Sequence, residues 1–317
     1  MVVIITGPTA SGKTALSEQL VPELSGAIIN ADLGQFYTPL TIGTAKPAWQ
    51  NLPFNSYLFD WVSEPRDISV VAFKKQVDSL VATIQADRKT PIIVGGSSFY
   101  IKSLFYPPEE NTTNVVSQNI DLTAFHMLST QELWEQLHII DAERATNIHP
   151  TDRYRLMRAF TLWLSTGKKP SLLKPQFVMP YLTVVLVIVL PSRELLAERI
   201  NLRAHQMIYQ DDWIGEIRSL LGTSWESFVR AKKLVGYPEL ADWVLHGSHQ
   251  NDLSAVIKTV CIKTRQYAKR QEVFLKKFAK DLANDAQSAG VNLTVLFTQD
   301  GSVQSVNKIL ATIKNLK

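Results

Sequence analysis

Apolar, largely β-branched runs bounded by turn-forming residues recur at positions 2–6, 27–30, 91–94, 183–190 and 293–297, and each predicts a strand. Between them, apolar residues return at helical spacing over 13–24, 70–86, 131–137, 152–165, 193–207 and 253–282. Strands alternating with helices predict an α/β domain on a doubly wound, mainly parallel sheet. The strands do not arrive evenly. Long intervals precede the run at 183–190 and again the run at 293–297, so helical insertions must decorate the sheet. The stretches 107–114 and 247–251 read as loops at the edges of those insertions. No internal repeat or low-complexity tract interrupts this pattern.

Composition narrows the class. At 317 residues the chain is about two domains' worth, by a prior of roughly 100 to 200 residues per domain. The 45% hydrophobic and 20% charged content excludes disorder as the main state. The single cysteine, Cys261, can form neither an intramolecular disulfide nor a cysteine metal cluster, which points to a reducing compartment; its plain role is a small buried hydrophobe. The longest apolar run, around 181–190, falls far short of the ~20 residues of a membrane helix, so no membrane is expected as a partner. The opening apolar residues follow no basic stretch and are interrupted by Gly7-Pro8, unlike a secretory signal. Cytoplasmic residence and a monomer are the resulting expectations. The net charge of +4 is mild but unevenly spread. Residues 1–60 carry two Lys/Arg against four Asp/Glu, whereas 258–280 carry eight against one. The basic segment is where an anionic partner is sought first.

The strongest local motif is Gly7-Pro8-Thr9-Ala10-Ser11-Gly12-Lys13-Thr14, which fits G-x-x-x-x-G-K-[ST] at every position. It lies between a predicted strand and a predicted helix, as a phosphate cradle requires. The glycines let main-chain N–H groups turn inward, the helix N-terminus adds a positive end, Lys13 supplies a point charge, and Thr14 can offer its hydroxyl to Mg²⁺. Nucleotide hydrolysis, kinase chemistry and pyrophosphate departure all use such a loop, so it names an anion and not a reaction.

The second predicted strand runs into Asn30-Ala31-Asp32-Leu33-Gly34-Gln35-Phe36-Tyr37, and Ile42-Gly43-Thr44-Ala45-Lys46-Pro47 follows closely. Strand carboxyl ends face the ligand crevice of an open α/β sheet, so Asp32 is expected beside the phosphate loop. These segments, with Gly95-Gly96-Ser97-Ser98-Phe99-Tyr100-Ile101-Lys102 and the stretches 148–159, 199–207, 235–237 and 264–271 in order, resemble the tRNA dimethylallyltransferases over nearly the whole chain. The resemblance implies a nucleotide-kinase-like P-loop core of residues 1–106 and 181–317, a lid-like helical stretch near 207–255, and a mainly helical insertion at 107–180 that helps bind tRNA.

It also implies a reaction: transfer of the dimethylallyl group of dimethylallyl pyrophosphate to N6 of adenosine 37 in the anticodon stem-loop, with Mg²⁺ as cofactor. An exocyclic amine is a poor nucleophile, and a carboxylate that takes its proton helps; Asp32 aligns with the family's catalytic aspartate. A loop or capping aspartate is the alternative for that position. Lys13, the loop amides and Mg²⁺ held partly by Thr14 stabilise the leaving pyrophosphate. Arg203 matches a family arginine that reaches this anion, and Arg199, four residues earlier, shares its helical face; either is otherwise a solvated basic residue. Ser97 stands where the family carries threonine and either bonds substrate or serves as a turn serine.

For the RNA, the resemblance places Asp32, Leu33, Gly34 and Gln35 at the flipped base, Gln35 offering its amide to a base edge. Phe36, Tyr37 and Phe99 are stacking candidates, each equally readable as core. Tyr154, Arg155 and Arg158 fall on the family's tRNA-contacting helix, with the two arginines at i,i+3. Arg265, Lys269 and Arg270 on the basic C-terminal helix form a second backbone-binding candidate, a solvated face being its alternative. The chain departs from the family pattern at Leu33, where a serine is usual, and at Ser56-Tyr57, where histidines are common. Between Glu109 and Glu143 it lacks the arginine that braces the target nucleotide, and Val273-Phe274-Leu275 replaces a tryptophan. Three other readings stay open: a prenyltransferase acting on AMP, ADP or ATP, a small-molecule P-loop kinase, and a catalytically weakened RNA-binding relative.

Overall fold

A computed structural model describes residues 1–108, 121–247 and 250–316. Its sheet consists of β1 (Val2–Thr6), β2 (Gly26–Asn30), β3 (Ser56–Tyr57), β4 (Thr90–Gly95), β5 (Val184–Val189) and β6 (Leu293–Thr298), all parallel, in the order β3-β2-β4-β1-β5-β6. Every residue of β1, β2 and β5 is buried, which is why these strands are continuous apolar runs rather than alternating ones. Edge strand β6 is only half-buried. The Lys13–Leu24 helix returns from β1 and lays Leu16, Leu20 and Leu24 over Val3, Ile5, Ile92 and Val94. Val306, Ile309 and Ile313 of the Val303–Lys314 helix complete that layer, although they lie at the other extreme of the sequence.

Chain order makes β1 the switch point. It is flanked by β4 on one side and β5 on the other, while β2 lies beyond β4. The segments leaving the carboxyl ends of β1, β2 and β4 therefore open into one crevice.

The chain divides into two compact units, one formed by Met1–Ser69, Lys75–Lys102 and Met179–Lys317, the other by Val70–Lys74 and Ser103–Val178. The second unit is helical. Leu133, Leu137, Ala145, Ile148, Leu156, Ala159 and Phe160 form its core, a capping box of Ser129 and Glu132 opens one helix, and the Asp152 side chain caps another.

Several elements escape the periodicity. β3 is two residues long, too short for any alternation to register, and makes the sheet six-stranded where the pattern predicts five strands. The stretch near 207–255 contains helices Trp213–Leu220, Ser224–Ala231 and Tyr237–Leu245, and the Val303–Lys314 helix lies beyond the segments that the helical spacing marks. The basic helix runs over Gln250–Ser288, so it begins inside the stretch 247–251 that reads as a loop. Residues 109–120 and 248–249, which carry most of the two loop expectations, lie outside the described residues. Among the described residues no helix is long and apolar enough to cross a membrane.

Candidate active site

The phosphate loop leaves β1 at Thr6, whose hydroxyl ties to the Gly95 carbonyl at the end of β4 (3.0 Å). Gly7 passes so close to β5 that a Cβ there would stand 2.4 Å from the Val189 carbonyl oxygen, so no larger residue fits. Lys13 folds back to donate to the Pro8 carbonyl at 2.8 Å. Burial lowers its ammonium pKa to about 8, with Arg203 pushing the same way and Asp32 opposing. The Ser11 hydroxyl is buried without a protein partner, a polar atom that an anion in the loop would satisfy.

Asp32 follows β2. Its amide is held by the Asn30 side chain (3.0 Å), and its Oδ2 receives the Gly96 amide at 3.4 Å. Next to it, the Leu33 amide donates to Ser97 Oγ at 2.7 Å, so Ser97 braces the segment that carries Asp32. Arg203, on the Arg193–Tyr209 helix, is largely buried; burial lowers its pKa and the charge of Asp32 raises it. One of its nitrogens donates to the Ala45 carbonyl (3.4 Å), whereas Arg199 reaches the phosphate loop itself at the Ser11 carbonyl (3.3 Å).

Two adjoining spaces meet at these groups. A polar cleft is bounded by Lys13, Thr14, Asn30 and Gln35. A larger cavity of about 460 Å³ adds Ser97, Tyr267, Arg270 and an apolar wall of Ile200, Met207, Leu234 and Val260. Thr9, Ala10, Asp32, Thr44 and Arg203 line both. An anion in the first space and an apolar or aromatic group in the second would thus meet at Asp32.

The sequence of this chain matches the family described as IPP transferase across residues 35–278. It is 35% identical over 283 residues to the tRNA dimethylallyltransferase of Staphylococcus aureus, covering 87% of this chain and 89% of that protein. The chain belongs to the IPP transferase family. A tRNA dimethylallyltransferase of Citrifermentans bemidjiense is 31% identical over 279 residues, 87% of this chain and 89% of its own. The crystal structure of the tRNA isopentenylpyrophosphate transferase of Staphylococcus epidermidis superposes with a TM-score of 0.60 at 28% identity, covering 100% of this chain and 99% of that one.

Within this family member the stacking candidates separate. Phe36 and Tyr37 are core residues, 0% and 2% exposed, whereas Phe99 is 64% exposed. The Gln35 amide nitrogen is committed to the Thr44 and Ala45 carbonyls (3.2 and 3.1 Å). On the basic helix, Arg265 donates to Asn201 (3.1 Å), Lys269 is exposed, and Arg270 sits over the Tyr267 ring at 5.9 Å. In the helical unit Tyr154 is exposed and Arg155 pairs with Asp152 at 3.4 Å.

One site residue escapes sequence reasoning. Gln271 is buried, accepts from the Thr9 amide at 2.9 Å and donates to the Gly96 carbonyl at 2.8 Å. It bolts the phosphate loop to the turn after β4. Its place at the end of 264–271 is the only signal, and the two partners lie 262 and 175 positions away.

Proposed function

We propose that this chain transfers the dimethylallyl group of dimethylallyl pyrophosphate to N6 of adenine 37 in a tRNA anticodon loop. The observation that carries the reading is the position of Asp32 on the seam between the polar cleft and the larger cavity. The pyrophosphate occupies the cleft against Lys13 and the loop amides, and the prenyl chain and the flipped adenine share the cavity. N6 attacks C1 of the prenyl group, the C1–O bond breaks, its electrons leave with pyrophosphate, and Asp32 takes the N6 proton. Arg203 and Lys13 carry the charge that gathers on the leaving group.

Thr14, exposed on the first turn of its helix, lines the cleft with Asp32. Among the described residues no group of three or more His, Cys, Asp or Glu is arranged to hold a metal. Few protein oxygens beside a phosphate site suit Mg²⁺, which keeps waters and takes substrate phosphates as ligands. Bound there, Mg²⁺ would neutralise charge on the departing pyrophosphate. Lys269 and Arg270 in one unit, and Tyr154, Arg155 and Arg158 in the other, supply phosphate and stacking contacts for RNA.

The test is direct. Protein, Mg²⁺ and dimethylallyl pyrophosphate are incubated with an unmodified anticodon stem-loop or with AMP, and the products are weighed. A gain of one prenyl group on the RNA alone is expected. Gain on AMP alone assigns the chain to free nucleotides, and gain on neither removes the transferase reading.

A further inference from the structure

The segment Ile42-Gly43-Thr44-Ala45-Lys46-Pro47 supplies no acid, base or anion donor to the reaction above, yet side chains distant in sequence hold it at both ends. Glu216, on the Trp213–Leu220 helix, takes three consecutive main-chain amides on one carboxylate, one just ahead of this loop and two at its start. Oε2 receives Thr41 N at 2.9 Å and Ile42 N at 2.6 Å, and Oε1 receives Gly43 N at 3.2 Å. A fourth donor, the Tyr237 hydroxyl, reaches Oε1 at 2.8 Å. Burial and the Glu216 charge raise the Tyr237 pKa well above its ordinary value, so the phenol stays protonated and donating. Charge-assisted bonds of this kind are shorter and roughly twice as strong as neutral ones.

Two further contacts fix the same loop. The Trp213 indole lies so close that a Cβ on Gly43 would stand 2.3 Å from its Nε1, which makes glycine obligatory there. At the other end, Lys46 donates to the Tyr37 carbonyl at 2.8 Å and pairs with Asp60. What lies between is the wall of the active cavity. Gly43, Thr44 and Ala45 line it, and the Ala45 carbonyl accepts from Arg203.

We propose that Glu216 is a positioning residue for Arg203: by holding amides 41–43 it fixes the Ala45 carbonyl that aims the guanidinium at the pyrophosphate. The inference rests on the placement of pyrophosphate in the preceding section. Glu216 touches no substrate. Its effect passes through the loop, and it belongs to the side of the reaction that binds and releases pyrophosphate rather than to the RNA side.

The experiment is a double-mutant cycle on inorganic pyrophosphate affinity, measured by calorimetry with Mg²⁺, using Glu216→Gln, Arg203→Ala and the pair. Glu216→Gln keeps the size of the side chain but turns an amide donor toward main-chain donors. It is expected to weaken pyrophosphate binding about tenfold and to raise the KM for dimethylallyl pyrophosphate in parallel, with affinity for the stem-loop, which meets this loop only through its flipped base, falling much less. In the Arg203→Ala background the same substitution should cost nothing further. Additive losses, or equal weakening of stem-loop and pyrophosphate binding, would overturn the proposal by making Glu216 a general support of the fold. Tyr237→Phe, which removes one donor and leaves the carboxylate, should give a smaller loss of the same kind; a loss confined to thermal stability counts against the proposal. If Arg203→Ala alone leaves pyrophosphate affinity intact, the placement of pyrophosphate fails instead, an outcome separate from the two above.

Discussion

Asp32 and Lys13 sit within one electrostatic neighbourhood but answer to different experiments. The Asp32 carboxylate, as distinct from its backbone, takes one long hydrogen bond from the Gly96 amide and lines open space, so replacing it should leave the local packing in place. Asp32→Ala is expected to slow prenyl transfer by about 10² to 10⁴ in single-turnover assays while stem-loop binding persists. Unchanged turnover would remove Asp32 from the role of base. Lys13 predicts two opposite pH trends. Its pKa in the folded protein is depressed to about 8 from 10.5, so between those values the unfolded chain holds the extra proton. This group therefore makes the free protein more stable as pH rises from about 8 to 10.5, and contributes nothing to the slope below that window. Pyrophosphate affinity should move the other way, falling above pH 8 by up to about tenfold per unit as the ammonium is lost. Titrations of Lys13→Arg, whose charge persists, should show a flatter profile. The positions of the phosphate loop and of Asp32 are legible in the sequence because each follows closely on an apolar run that announces a strand, whereas Ser97 is picked out by the family resemblance. Gln271 and Glu216 are not legible in this way, because their partners lie far away in sequence and no local pattern records a bond of that span.

The Gln250–Ser288 helix faces both the solvent and the phosphate loop. Lys269 and Arg270 are exposed, while Gln271, the next residue, is buried against the phosphate loop. Reversing the charge of both basic residues is expected to weaken stem-loop binding and to lower the magnitude of the slope of log affinity against log salt by about 1.5 to 2. Pyrophosphate affinity measured without RNA should stay nearly constant; a fall there would mean that the helix, not its surface charge, had been disturbed. Strands β1, β2 and β5 are the most readable elements, since burial on both faces leaves an uninterrupted apolar run. The three helices between residues 213 and 245 are not separable by periodicity, because none of them exceeds nine residues and each offers little more than two turns. Their identity is set by packing, as Trp213 against Gly43 and Tyr237 shows.

Across the whole molecule, the sheet order brings distant stretches together. β6 pairs with β5 along its full length, and the Val303–Lys314 helix lies against the Lys13–Leu24 helix, where Gln19 also donates to the Gly301 carbonyl (3.1 Å). A chain stopped at residue 290 lacks both elements. It should lose the single cooperative transition of the full chain in calorimetry and bind pyrophosphate weakly, since the helix that follows the phosphate loop loses its cover. Retention of a sharp transition would show that the remaining sheet is self-sufficient. The same arrangement carries a consequence for synthesis. Leu16 and Leu20 leave the ribosome early, and Val306, Ile309 and Ile313, which shield them, leave almost three hundred residues later. Until the Val303–Lys314 helix emerges, the layer over Leu16 and Leu20 lacks its last members. A nascent chain arrested before residue 303 is therefore expected to be held by chaperones for apolar segments more readily than the finished chain, as co-purification from arrested ribosomes would show.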